Sequence, residues 1–386
     1  MKKIKLMNKI AAVGTDNFDR AIYEVSDAVE NPDAIMVRSA ALHDMEMPES
    51  LKAIARCGAG VNNIPVEKCT EKGIVVFNTP GANANGVKEL AICALVLAAR
   101  DVIGGIEWVK TLEGTTEIAK AVEKGKSAYV GTELAGKKLG VIGLGAIGGM
   151  VANAANALGM TVVGCDPFIT PAAAWSLAPS VKQAATYDEI FKTCDYISLH
   201  VPATAQTKNM INEKSIAMMK DGVRIINLAR ADLVCADDMK KALSDGKVAK
   251  YVTDFPTDAT VGAAGIVNIP HLGASTVESE DHCAVMAARQ LDEYLTNGNI
   301  KNSVNFPNVS LAHNALARVC VMHKNVPNTI AQITTAFSSV NVNIENMANG
   351  SKGEVAYTII ETNEKVSDEV VKAVMAVDGV SKVLCY

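Results

Sequence analysis

Short apolar runs and longer stretches of helical periodicity alternate along most of this chain. From Ile10 to about Arg100, runs such as Ala34-Ile35-Met36-Val37 and Ile74-Val75-Val76-Phe77 recur between helix-like segments. A strand buried on both faces needs a continuous apolar run, so this alternation predicts βαβ units and a parallel sheet. A second block of the same kind opens at Lys137. Strands are predicted there at 138–142, Thr161–Cys165, Tyr196–His200 and Arg224–Asn227. The most apolar run, Leu90–Ala99, has about half of the roughly 20 residues a bilayer span requires, and it predicts a buried helix.

The pattern changes after Thr296. Asn297-Gly298-Asn299-Ile300-Lys301-Asn302-Ser303 is polar and turn-rich and is followed by Pro307, which predicts a linker over about 297–314. Beyond it the order is strand (Ala317–Met322), helix (Thr329–Ser338), strands (Ile344–Asn349 and Val355–Thr362), helix (Asp368–Val377) and strand (Val380–Tyr386). That order is the split βαβ arrangement of ferredoxin-like folds. The fold class expected is α/β, with two doubly wound Rossmann- or flavodoxin-like domains and a small C-terminal βαββαβ domain.

Composition narrows the class without changing the fold. With 386 residues the chain has room for two or three domains, and 49% hydrophobic, 20% charged and 4% aromatic residues describe an aliphatic globular protein. A net charge of −5 argues against nucleic acid or an anionic membrane as the main partner, yet it leaves room for a local basic pocket. The basic start Met1-Lys2-Lys3-Ile4-Lys5 precedes no apolar core with a cleavage site, so a cytoplasmic location is expected. The nine cysteines form no C-x-x-C pair and have no histidine at zinc-ligand spacing. They read as reduced, mostly structural thiols, with no metal site expected.

The chemistry begins at Gly143-Leu144-Gly145-Ala146-Ile147-Gly148. A glycine-rich six-mer alone is a weak signal, because any tight strand-to-helix turn produces one. Here an apolar strand precedes it, a helix from Met150 to Leu158 follows, and a second strand ends in Gly164-Cys165-Asp166 about 20 residues on. Gly143 would permit the turn, Gly145 would let backbone approach a pyrophosphate, and Gly148 would let helix and strand pack closely. The helix N-terminus would face the phosphates. Asp166 would accept hydrogen bonds from the ribose hydroxyls and repel a 2′-phosphate, favouring NAD over NADP.

Two further polar residues stand where strands give way to loops, at the sheet edge that holds ligands in open α/β folds: Arg230 after Asn227-Leu228-Ala229, and His271 after Ile269-Pro270. Taking hydride from a secondary alcohol requires a base for the hydroxyl proton and a cation for the neighbouring carboxylate. Imidazole, with an unperturbed pKa near 6.5, suits the first task, and the planar guanidinium fork suits the second. Singly, a loop arginine is more often a solvated charge, and a lone histidine more often structural. His43, His200, His282 and His313 keep that bland reading, His200 being the best placed of them to line a cofactor cleft.

The residues Lys137 to Gly148, Asn227-Leu228-Ala229-Arg230 and Pro270-His271-Leu272-Gly273-Ala274-Ser275-Thr276 resemble the D-2-hydroxyacid dehydrogenase superfamily. The likeness extends along the whole chain, because Val37-Arg38-Ser39 and Arg56-Cys57-Gly58-Ala59-Gly60-Val61 are similar to its substrate loops. It implies a discontinuous substrate domain (1–100 and 283–305), an NAD-binding domain (101–282) and a regulatory ACT domain (314–386). It implies His271 as acid/base and Arg230 on the substrate carboxylate. Arg38 and Arg56 would meet a phosphate, Ser39 would line the substrate site beside them, and the Ala59 and Gly60 amides would help hold the carboxylate. The turn residues Gly143, Gly145, Ala146, Ile147 and Gly148, together with Asp166, Val201, Leu228, Ala229, Asp254 and Gly273, would line the NAD site. A phosphorylated hydroxy acid is the implied substrate, and a homodimer or homotetramer the implied assembly.

The chain departs from the family pattern at several positions. Ala231 replaces the usual glycine after the arginine, and Ala146 a longer polar residue. In Asp254-Phe255-Pro256-Thr257-Asp258-Ala259 the loop is shortened and lacks the glutamate that pairs with the catalytic histidine. Aligned on the strand, Asp254 falls on the nicotinamide-side aspartate; aligned on Phe-Pro-Thr, Asp258 falls on the missing glutamate, so Asp258 is matched to His271. In the C-terminal segment, His323-Lys324-Asn325-Val326-Pro327-Asn328 and Val342-Asn343-Ile344 resemble effector loops, implying L-serine bound through His323, Asn325 and Asn343. The alternatives are a dehydrogenase of an unphosphorylated 2-keto acid and an NAD-sensing binding protein. Retention of both Arg230 and His271 argues against pure binding.

Overall fold

A computed structural model describes all 386 residues, Met1–Tyr386, and places them in two compact units: Met1–Asn83 with Glu280–Tyr386, and Ala84–Ser279. The first unit contains a five-stranded sheet of β1 (Lys2–Met7), β2 (Tyr23–Ser26), β3 (Ala34–Val37), β4 (Ala53–Arg56) and β5 (Val75–Phe77). All pairings are parallel, in the order β2-β1-β3-β4-β5, one of the two common doubly wound orders. β3 is buried at every residue, which is why its sequence reads as an unbroken apolar run.

The second unit carries seven parallel strands: β6 (Lys138–Ile142), β7 (Thr161–Cys165), β8 (Lys182–Gln183), β9 (Tyr196–Leu199), β10 (Val223–Asn227), β11 (Val248–Thr253) and β12 (Ile266–Asn268). Their order, β12-β11-β10-β9-β6-β7-β8, reverses direction between β6 and β9. That reversal is the crevice in which doubly wound sheets bind nucleotides.

The helix Ala84–Ala99 corrects the expected boundary at residue 100. Its buried face, Val87, Ala91, Ala94, Leu95 and Ala98, joins the core of Leu139, Val141, Ile226 and Val252 in the second unit. A helix this apolar, falling in the sequence between the strands of two sheets, carries no mark of which one it will cover.

The C-terminal residues form a four-stranded antiparallel sheet of β13 (Ala317–Lys324), β14 (Asn346–Lys352), β15 (Val355–Thr362) and β16 (Val380–Cys385), in the order β14-β15-β13-β16. Two helices, Thr329–Ser339 and Asp368–Met375, cover one face through Ile333, Phe337, Val370 and Val374. The centre of the other face is covered too. Its Cys320, Met322, Tyr357 and Ile359 share one apolar core with Leu291 and Tyr294 of the Val277–Asn297 helix, and with Ile4, Met36 and Phe77 of the first sheet.

The expected linker is a structured belt. Ile300 and Val309 pair as an antiparallel bridge, and Ser303 bridges Phe77. The belt's polar side chains are buried yet bonded: Asn305 accepts from the Val76 N–H and donates to the Ile74 carbonyl. Arg318, fully buried, binds Glu361 at 2.5 Å. It also donates to the carbonyls of Asn297 and Leu311 and to Asn299 Oδ1. Burial works against a charged Glu361, but the hydrogen bond and charge of Arg318 outweigh it and hold the carboxyl below its ordinary range. No helix is long and apolar enough to cross a membrane, and all nine cysteines are unpaired thiols.

Candidate active site

In the second unit the chain leaves β6 through Gly143, whose φ of +90° is the left-handed region; a Cβ there would stand 2.5 Å from the His200 carbonyl oxygen. A Cβ on Gly148 would fall 1.9 Å from the Gly143 carbonyl oxygen. Gly145 differs: no atom lies within 4 Å of where its Cβ would be. Backbone is therefore bare to an approaching group at that one position. The helix starts at Ala146, inside the motif rather than at Met150, and runs to Ala157. Its first N–H groups thus follow directly on the turn.

Asp166, just beyond β7, ties the turn down. Its Oδ2 accepts from the Leu144 N–H and its Oδ1 from the Phe168 N–H, each at 2.9 Å. At the end of β9, His200 Nε2 lies 2.8 Å from Ser198 Oγ, and burial pulls its pKa down to about 4, so the ring stays neutral. Val201 packs beside Gly143, and Leu228 is buried in the core.

The ends of β10, β11 and β12 carry the remaining polar residues of this unit. Asn227, fully buried, donates to the Arg230 carbonyl at 2.8 Å and to Tyr251 Oη, and accepts from the N–H groups of Ala229 and Arg230. One side chain thus fixes the loop that presents Arg230. The Arg230 guanidinium lies 5.9 Å from the Phe255 ring centroid, and the other neighbour of that ring is His271, at 4.5 Å and 48°. Phe255 therefore contacts both side chains.

Asp254 is 1% exposed. Its Oδ2 accepts from the Gly273 N–H at 3.1 Å, while its Oδ1 is buried with no partner. Burial raises its pKa, opposed by the Gly273 N–H and by the neighbouring His271 and Arg230. Asp258 is exposed and makes no hydrogen bond or ion pair. The structure does not bring Asp258 to His271: with the loop shortened, the buried carboxylate beside the histidine is Asp254.

In the first unit, β3 ends next to Arg38 and β4 ends in Arg56. Arg38 pairs with Glu280 at 2.5 Å, both side chains about two-fifths exposed (43% and 40%). Arg56 has no such partner. Its Nε is buried and unbonded, and its Nη1 lies 1.3 Å from where a Gly58 Cβ would be. Burial lowers its pKa, and the like charge of Arg38 adds to that. Ser39 and Ala40 are held by Asn8, whose Oδ1 accepts from both N–H groups. Ala59 is fixed through its carbonyl by Asn78, while the N–H groups of Ala59 and Gly60 have no acceptor in the chain.

In the C-terminal sheet, His323 is 3% exposed with both ring nitrogens engaged, by Thr358 Oγ1 and the Lys324 carbonyl. Asn325 donates to the Gly353 carbonyl, and Asn343 to Glu345. His323 and Asn325 line one cavity of about 800 Å³ with Glu71, Lys324 and Glu354; Asn343 does not line it. Asn227 and Phe255 stand inside the sequence motifs without a role of their own, and Glu280 lies outside them. Only Asn227 carried a signal, as a polar residue closing an apolar strand just before the loop of Arg230.

Residues 95–273 match the family model "D-isomer specific 2-hydroxyacid dehydrogenase, NAD binding domain". The D-3-phosphoglycerate dehydrogenase of Methanocaldococcus jannaschii is 36% identical over 295 residues, 74% of this chain and 54% of that protein. This chain thus spans about half the length of that relative. The Haemophilus influenzae protein of the same name is 30% identical over 373 residues, 92% of this chain and 87% of its own. The crystal structure of cofactor (NAD+)-bound 3-phosphoglycerate dehydrogenase from Entamoeba histolytica superposes with a TM-score of 0.61 and 28% identity, covering 79% of this chain and 98% of that one. The chain belongs to the D-isomer specific 2-hydroxyacid dehydrogenase family of NAD-dependent oxidoreductases. The bare backbone at Gly145 and the orphaned Asp254 Oδ1 fit its cofactor, NAD.

Proposed function

We propose that this chain oxidises 3-phospho-D-glycerate to 3-phosphohydroxypyruvate, the entry step to L-serine. The observation that carries this reading is Arg56, a guanidinium with no anionic partner and a buried, unbonded Nε, beside the free N–H groups of Ala59 and Gly60. Such a group calls for an anion from outside the chain. The activity carried by the names of its relatives supplies one with two acidic ends.

Arg56 and Arg38 take the phosphate, with Ser39 on the same loop. The Ala59 and Gly60 amides and Arg230 take the carboxylate. His271, its ring against Phe255, accepts the C2 hydroxyl proton as the C2–H bond breaks. Bound NAD supplies the hydride acceptor. Asn227 keeps Arg230 in place, and Asp254 places Gly273 through its N–H while offering its free Oδ1 to the carboxamide. Asp258, exposed and unbonded, is left out of the mechanism.

The test is NADH-coupled reduction of 3-phosphohydroxypyruvate beside pyruvate and glyoxylate. The proposal expects the phosphorylated acid to be preferred by at least tenfold in kcat/KM, a preference abolished by Arg56→Ala. Equal turnover of all three would overturn it. One observation favours a second reading, an unphosphorylated 2-keto acid: Arg38 is already neutralised by Glu280. Absence of turnover with every acid despite NADH binding would favour a binding protein instead.

The C-terminal βαββαβ sheet reads as an ACT domain of ferredoxin-like type, and the cavity beside His323, Lys324 and Asn325 as the site of an L-serine effector. Calorimetry with millimolar serine tests it, and no heat of binding together with unchanged kinetics removes the idea. Homo-oligomer formation is supported by the helices Val102–Lys110 and Ile118–Gly125. Neither has a buried residue, and Val102, Ile103, Ile106 and Val109 are exposed. Ile106→Glu is expected to dissociate the oligomer in light scattering.

A further inference from the structure

The ion pair between Arg38 and Glu280 has a consequence for substrate choice. Arg38 stands beside Arg56, close enough for its charge to act on that guanidinium. The other ionisable neighbours, Cys57 and Cys283, are buried thiols whose pKa values burial raises, so they bring no negative charge. Glu280 is the only carboxylate in an ion pair with either arginine. It approaches from the Val277–Asn297 helix, and both members of the pair remain about two-fifths exposed, so a dissolved anion can reach the same guanidinium.

We propose that Glu280 is a specificity-determining residue, an internal competitor that an incoming phosphate must displace from Arg38. The inference rests on the phosphorylated-substrate reading above. An anion with one negative charge gains little by replacing a carboxylate already at 2.5 Å. A phosphate, with about two charges and three acceptor oxygens, can engage Arg38 and Arg56 together and win the exchange. Glu280 therefore weakens every anion somewhat, and singly charged ones most in proportion to what they can recover.

The test compares Glu280→Gln with the parent and with Glu280→Asp, which keeps the charge. Exposed ion pairs contribute up to about 1 kcal/mol, so Glu280→Gln is expected to lower KM for 3-phosphohydroxypyruvate about two- to fivefold. The change falls on KM more than on kcat. Competitive inhibition by inorganic phosphate tightens by the same factor, and Glu280→Asp keeps KM nearer the parent value. An unchanged or raised KM in Glu280→Gln overturns the proposal. Should the parent reject phosphorylated acids altogether, the functional reading falls, and the thermal shift with inorganic phosphate still decides the role of Glu280. A larger shift in Glu280→Gln than in the parent supports competition for Arg38, and an equal one overturns it.

Discussion

The carboxyl edge of the second unit's sheet and that of the first are built on opposite terms. In the second unit the polar groups are tied to backbone: Asp166 to the Leu144 N–H, Asn227 to both sides of Arg230, Asp254 to the Gly273 N–H. In the first unit Arg56 has no partner and Arg38 only a half-exposed carboxylate. A bonded network fixes where atoms stand before any ligand arrives, whereas an unpartnered cation stores an unmet demand for an anion. Geometry is pre-set on one edge and affinity is held ready on the other.

Substitutions can break that contrast. The largest effect is expected from His271→Ala: a fall of about 10²–10⁴ in kcat, with NADH binding by fluorescence retained and Tm hardly moved, because the ring is exposed. Asn227→Ala removes a buried clamp and leaves backbone groups unpaired, so about 1–3 kcal/mol of stability is lost in urea unfolding, together with kcat/KM. Arg56→Met sharpens the comparison most. It is expected to raise KM for the phosphorylated acid about tenfold, roughly the 1.4 kcal/mol of one good contact, while Tm holds or rises as a buried charge disappears. A lower Tm would show that Arg56 supports the fold and would erase the difference between the two edges.

The smallest effect concerns Lys382 of β16, which donates to the Leu51 carbonyl and whose pKa is brought down to about 8 by burial, with nearby Lys52 adding to it. Its folded pKa lies below the unfolded one, so the folded state binds fewer protons between about pH 8 and 10.5, and this group's contribution makes stability rise with pH across that window. Lys382→Met should remove that slope in Tm against pH.

Much of the second edge was legible because its demands are local. A φ of +90° at Gly143 and backbone crowding at Gly148 leave room only for glycine, and an apolar strand run ends at the sheet edge by construction. The choice between Asp254 and Asp258 was not legible, since a shortened loop can be aligned from either side and only burial decides. The belt at 297–314 misled for a different reason. Asparagine and serine read as solvated turns, yet Asn299, Ser303 and Asn305 are buried and bond the backbone groups of Leu311, Phe306 and Ile74. Glu280 lay more than 200 positions from Arg38, and a pair that distant leaves no spacing to read.

The buried Arg318–Glu361 clamp also bears on how this architecture could have changed over evolutionary time. A domain joined by a free tether can be lost or exchanged by a single cut. Here a chain ending before Ala317 would leave Leu291, Tyr294 and Phe306 facing water, and would strand the Asn297 and Leu311 carbonyls that Arg318 now serves. Loss of the C-terminal sheet would thus have to be accompanied by repacking of the helix Val277–Asn297 beneath it.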